Sequence, residues 1–186
     1  MAKAGSGREG GRWAGEGVGG GVAVDPVLAG REVMRDIAVA LSRGIAEFPE
    51  ISAFANISEI REGDFGGGIL GIIDGSGNIT LQSGLRSGNF WGSRQWVAAH
   101  EVAHGLTRDP PQGIRTAEQT MAAAAREYNR GRTSGRLTQA GLAGRISNYA
   151  RASPREAVAE AFADWAVNGN NASDASLIIM RNWRRP

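Results

Sequence analysis

The sequence predicts an α+β domain, a small sheet followed by packed helices. A hairpin pattern spans residues 69–82, apolar residues turn to helical spacing from Trp91 onward, and a strongly cued helix opens at Ser153-Pro154. The length of 186 residues supports one domain with its own core. A 41% apolar and 22% charged composition is that of a globular chain. Residues 1–24 stand apart as a flexible tail, glycine-rich from Gly5 to Gly21, which leaves 25–186 as the domain.

In chain order, Asp25-Pro26 offers a helix start, and Val33, Ile37, Ala40, Leu41 and Ile45 recur at three and four residue intervals, predicting an amphipathic helix over about 27–47. Ile51 to Ile60 alternates loosely and reads as a first strand ending in the polar turn Arg61-Glu62-Gly63-Asp64. Ile69 to Ile73 and Ile79 to Gln82 form a hairpin across the turn chemistry of Asp74-Gly75-Ser76-Gly77-Asn78. A helix from Trp91 ends near Gly105-Leu106-Thr107, with a loop to residue 115. Thr116 caps an alanine-rich helix running to Asn129, Gly131 to Gly135 breaks it, and Arg136 to Arg145 is a shorter helix. Ser153 as N-cap with Pro154 at the first helical position starts a helix to about Val167. A last helix, Ser173 to Trp183, contributes Leu177, Ile178, Met180 and Trp183 to the core.

Composition excludes several kinds of chemistry. With no cysteine there is no disulfide framework, thiolate metal site or cysteine nucleophile. No stretch approaches the roughly 18 apolar residues of a membrane span, and the glycine-rich start lacks the apolar centre of a signal peptide. The expectation is a soluble chain, cytoplasmic, virion-associated or exported without a cleaved signal. Net charge is only +2, and the basic residues alternate with acidic ones apart from Arg126, Arg130, Arg132, Arg136 and the end Arg181, Arg184, Arg185. Such clusters are most simply solvated helix faces, so nucleic acid is not an expected partner.

The chemistry lies in His100-Glu101-Val102-Ala103-His104, the H-E-x-x-H pattern, which takes in the only two histidines of the chain. Histidines four apart on a helix lie one turn above each other, so both imidazoles can reach one metal ion. Neutral imidazole suits zinc, and a catalytic zinc keeps three protein ligands and an open position. Glu101 sits beside the first histidine, where a carboxylate can take a proton from water. The third ligand must then be a carboxylate. The helix from Ser153 offers Glu156, Glu160 and Asp164 at intervals of four, on one face. Glu156 in the first turn is suited to ligation and Glu160 to a hydrogen bond on a ligand histidine, while Asp164 is about 12 Å further along the axis and less suited to reach. The hairpin before the metal helix offers an edge that can pair with an extended peptide; alternatively Ile79 and Leu81 are simply core.

Ser147-Asn148-Tyr149, a gap of six residues, then Glu156-x-x-Ala159-Glu160-x-Phe162 after an H-E-x-x-H helix resembles zincin-like zinc metallopeptidase domains of the gluzincin type. Such domains occur in anthrax lethal factor, in phage head proteins and in bacterial polymorphic toxins. The resemblance covers about residues 69–168. It implies a small mixed sheet packed on the H-E-x-x-H helix and a glutamate-bearing helix. It further implies one Zn2+ held by His100, His104 and Glu156, Glu101 as general base, Glu160 as the carboxylate behind a ligand histidine, and Tyr149 as donor to an oxyanion. The expected activity is zinc-dependent endopeptidase cleavage of a protein or peptide. The alternative is a zinc-stabilised, non-catalytic phage structural or interaction module, for which neither Glu101 nor Tyr149 is needed.

Overall fold

A computed structural model describes residues 59–183 apart from 109, 111 and 112. The glycine-rich tail, the helix expected over 27–47 and residues 51–58 of the expected first strand lie outside the described residues. Within them the chain is mixed α+β, with a sheet of three strands and five α-helices. The strands are β1 (Glu59–Gly63), β2 (Gly71–Ile73) and β3 (Asn78–Gln82). The helices are α1 (Arg94–Arg108), α2 (Ala117–Asn129), α3 (Gln139–Ala143), α4 (Pro154–Asn168) and α5 (Asp174–Trp183). Short 3-10 turns at Tyr149–Ala152 and Gly169–Asn171 flank α4.

The sheet order is β1-β3-β2, with β3 antiparallel to β2 and parallel to β1. The hairpin of β2 and β3 is as expected, its turn held by Asp74, whose carboxylate accepts from the backbone N–H of Ser76 and of Asn78 at 2.8 and 2.9 Å. The first strand differs from expectation. Arg61, Glu62 and Gly63, read as a turn, belong to β1, because each has a pairing partner on β3 and tertiary contacts override their polar character. Arg61 donates to Thr80 Oγ1 at 3.2 Å, and Glu62 forms an ion pair with the buried Arg94 that ties β1 to α1.

Helix α1 also runs past its expected end, with Leu106 and Thr107 buried and Gly105 near enough to β2 that a Cβ there would lie 3.4 Å from Ile73 Cδ1. What reads as the start of a loop is helix because it packs on the sheet. Conversely, the helix expected over 136–145 shrinks to α3. Asn129 bonds both the N–H and the C=O of Leu137 at 2.8 Å, holding it outside a helix, and Thr138 then serves as N-cap by accepting from Gly141 N. The caps of α2 and α4 are those expected. Thr116 and Gln119 close a reciprocal capping box, and Ser153 Oγ accepts from Glu156 N at 3.2 Å. In α5, Met180 and Trp183 are buried as expected; Leu177 and Ile178 are only half-buried, and Ile179 takes the inner position.

Helix α4 lies at the centre, packed on α1, α2 and α5. Ala157, Val158, Ala161 and Phe162 are buried, with Trp165 half-buried beside them, and so are Ala159 and Ala163, on the rest of its circumference. On α1 the inner positions Ala98, Ala99 and Ala103 are also alanines. Small side chains on both helices shorten the distance between their axes, which brings polar side chains on facing turns within contact.

Candidate metal centre

His100 and His104 are one turn apart on α1, and their Nε2 atoms lie 3.0 Å from each other. Glu156, in the first turn of α4, brings Oε2 to 3.1 Å from His100 Nε2 and 3.2 Å from His104 Nε2. Three donor atoms thus make a nearly equilateral triangle. Around a tetrahedral zinc with ligands at about 2.0–2.1 Å, neighbouring donors are separated by about 3.3–3.4 Å, so this set fits such an ion with only small adjustment. Two imidazoles and one carboxylate are also the donor types zinc accepts at an open site.

The surroundings orient this triangle. His100 Nδ1 lies 2.9 Å from Glu160 Oε1, which directs Nε2 toward the centre of the triangle. Glu160, itself buried, also accepts from the indole N–H of Trp91 at 2.9 Å and of Trp96 at 3.3 Å, and from the Ser147 hydroxyl. These contacts hold the Glu160 carboxylate below its ordinary range although burial pushes the other way. Burial likewise opposes charge at His100 and Glu156, but their contact prevails. The carboxylates of Glu156 and Glu160 raise the His100 imidazole from 6.5 to about 10, and the two histidines lower Glu156 to about 2. Without a metal ion the site holds an imidazolium against a carboxylate.

Glu101 points to the same place from α1, is 2% exposed, and has Oε2 without a hydrogen-bond partner among the described residues. Burial pushes its carboxyl up, against the pull of both histidines. The backbone N–H of Ile73 on β2 bonds to it, so the edge strand and the acid are in direct contact. A Cβ at Gly71 would come within 3.2 Å of Glu101 Cγ and 2.5 Å of Val97 Cγ1, so the residue there has to be glycine for β2 to approach α1. Tyr149, on the 3-10 turn before α4, stacks at an angle on His100 with ring centroids 5.7 Å apart, and its hydroxyl bonds Glu156. Burial and three surrounding carboxylates raise its pKa, keeping the phenol protonated.

All six residues singled out from the sequence, His100, Glu101, His104, Tyr149, Glu156 and Glu160, therefore converge on one spot. The third member of the acidic column does not. Asp164 is buried elsewhere, accepting from Asn168 Nδ2 at 2.8 Å, Ser173 N at 2.9 Å and Ser176 Oγ at 2.6 Å, where it holds the start of α5. Three contributors went unread: Trp91, Trp96 and Ser147 as partners of Glu160. Trp96, one turn before His100 on the same helix face, had a signal in its spacing; Trp91, 69 residues from Glu160, had none. Comparison of the chain with protein-family models, with curated proteins and with solved structures finds no match.

Proposed function

We propose that this chain is a zinc-dependent endopeptidase of the zincin type. The observation that carries the proposal is the triangle of His100, His104 and Glu156 with the unpaired oxygen of buried Glu101 beside it. A site that served structure alone would close its fourth position with a protein ligand and would have no use for a buried carboxylate outside the ligand set. Zinc bound by these three residues supplies Lewis acidity, polarising a substrate carbonyl and making a water easier to deprotonate.

The remaining steps belong to the protein. Glu101 accepts the proton of the attacking water and returns it to the leaving amine; burial raises its carboxyl pKa, which strengthens it as the acceptor in the first transfer. Tyr149, protonated and poised beside Glu156, donates a hydrogen bond to the oxygen that gains charge as the carbonyl is attacked. Glu160 orients His100. The edge of the sheet supports the substrate reading as well: among the described residues β3 is the central strand, with Ile79 and Leu81 in the core, while β2 has one strand neighbour and lies against Glu101. A peptide extended along the other side of β2 would pass beside the general base.

The test is Glu101→Gln in the full chain. The substituted protein is expected to bind one zinc as wild type does and to lose hydrolysis of an unstructured protein such as casein, measured by release of new amino termini. Full hydrolysis by Glu101→Gln with zinc bound would refute the assignment. Zinc bound with no hydrolysis by wild type on any unfolded protein would favour the stabilised interaction module.

A further inference from the structure

Arg126, Arg130, Arg132 and Arg136, spread over eleven residues of sequence, are gathered by the fold into one open concavity of about 720 Å3. The gathering has a clear cause. After α2 the chain reverses at Gly131, with φ of +74°, and the two hydrogen bonds of Asn129 to Leu137 bring Arg136 back beside the last turn of the helix. A second concavity of about 500 Å3, which adds Arg115, shares Ala122 and Arg126 with the first. The two form a trough along the face of α2 that carries Ala122, Arg126 and Asn129.

No carboxylate lines either concavity, and none of the six metal-site residues does. Among the described residues Arg126, Arg130 and Arg136 make no ion pair. Arg132 is oriented: its Nε donates to the Tyr128 carbonyl at 2.9 Å and its guanidinium sits 4.3 Å over the Tyr128 ring. Positive charges scattered on a convex surface are screened individually, but a concavity of one sign focuses its field and attracts a ligand of the other. Guanidinium groups favour phosphate, whose oxygens match their planar fork. Five arginines distributed over two adjoining concavities suit a chain of phosphates better than a single anion. The arginines line recessed surface rather than a convex ridge, which suits one flexible backbone laid into it better than a rigid duplex, and no aromatic residue lines either concavity to read bases.

We propose that this trough binds single-stranded nucleic acid through its phosphodiester backbone, without sequence preference, separately from the metal centre. The experiment is fluorescence anisotropy of a labelled oligothymidylate of about 15 nucleotides with the full chain. Binding is expected at low salt, with a log–log salt slope of about −2 to −3, as three to four phosphate contacts on a single strand would give. Arg126→Ala with Arg136→Ala should weaken binding by about tenfold or more, the paired lysine substitutions much less, and Arg86→Ala, outside the trough, by under about twofold. All these side chains are exposed, so each variant is expected to keep its fold, which circular dichroism checks. Absence of binding at low salt, or an equal loss in Arg86→Ala, overturns the proposal. So does displacement by polyglutamate as effective as by unlabelled oligonucleotide, or tighter binding of the matching duplex.

Discussion

Glu160 is the residue on which the geometry of the candidate centre turns. It takes hydrogen bonds from Trp91, Trp96 and Ser147 and presents its charge to His100. Glu160→Gln keeps the shape and removes the charge, and should lower zinc affinity about 10–100-fold in competition with a chromogenic chelator, with the fold retained; unchanged affinity would remove Glu160 from the site. The pH dependence of the metal-free protein follows from the same contacts. Because the His100 pKa rises from 6.5 to about 10 on folding, its protonation stabilises the metal-free fold fully below pH 6.5, and that stabilisation is lost as pH rises through about 10. Zinc needs the neutral imidazole, so loading at pH 8 should release about one proton from His100, measurable by calorimetry in buffers of different ionisation enthalpy. Tyr149→Phe, which spares the metal ligands, should cost about 10²–10³ in turnover and leave zinc content unchanged. His100, Glu101 and His104 were legible because helix geometry converts their spacing directly into a shared face. Glu156 and Glu160 were legible for the same reason. Tyr149 could be found only through resemblance, since a 3-10 turn and a packing contact, not a periodicity, bring it to His100.

At the scale of elements, the column Glu156, Glu160, Asp164 shows where spacing stops being informative. The three share a face of α4, but that face crosses α1 at its start and meets the connection to α5 at its end. Asp164 therefore serves the fold. Asp164→Ala would strand the backbone N–H of Ser173 and leave the buried Ser176 hydroxyl only its contact with Ser173 Oγ, at about 1–3 kcal/mol, and should lower the melting temperature while leaving zinc affinity at a permissive temperature as in wild type. A loss of zinc affinity without a loss of stability would return Asp164 to the metal. The caps at Thr116 and Ser153 and the turn at Asp74 were readable because each is satisfied within about four residues. The polar strand β1 and the shortened α3 were not. Their partners are β3, across 19 residues from Glu59 to Asn78, and Asn129, eight residues from Leu137, and local composition carries no trace of either.

For the molecule as a whole, the candidate centre joins two layers of the described fold. His100 and His104 come from the helix that lies on the sheet, and Glu156 from the central helix that packs on α2 and α5. An ion held by all three ties these layers together, and since the unfolded chain offers no assembled triangle, metal affinity adds directly to folding stability. At free zinc 100-fold above Kd the gain is about 2.7 kcal/mol, which for a domain of this size means a rise of about 5–10 °C in Tm. Chelation should reverse it. His104→Ala and Glu156→Ala should melt at similar temperatures with and without zinc, because each removes one corner of the triangle. Glu101→Gln should keep the full rise, because its side chain lies outside the ligand set. That pattern separates the proposed ligands from the proposed general base without any substrate in hand, and a rise that survived in Glu156→Ala would mean that the ion is held elsewhere in the chain.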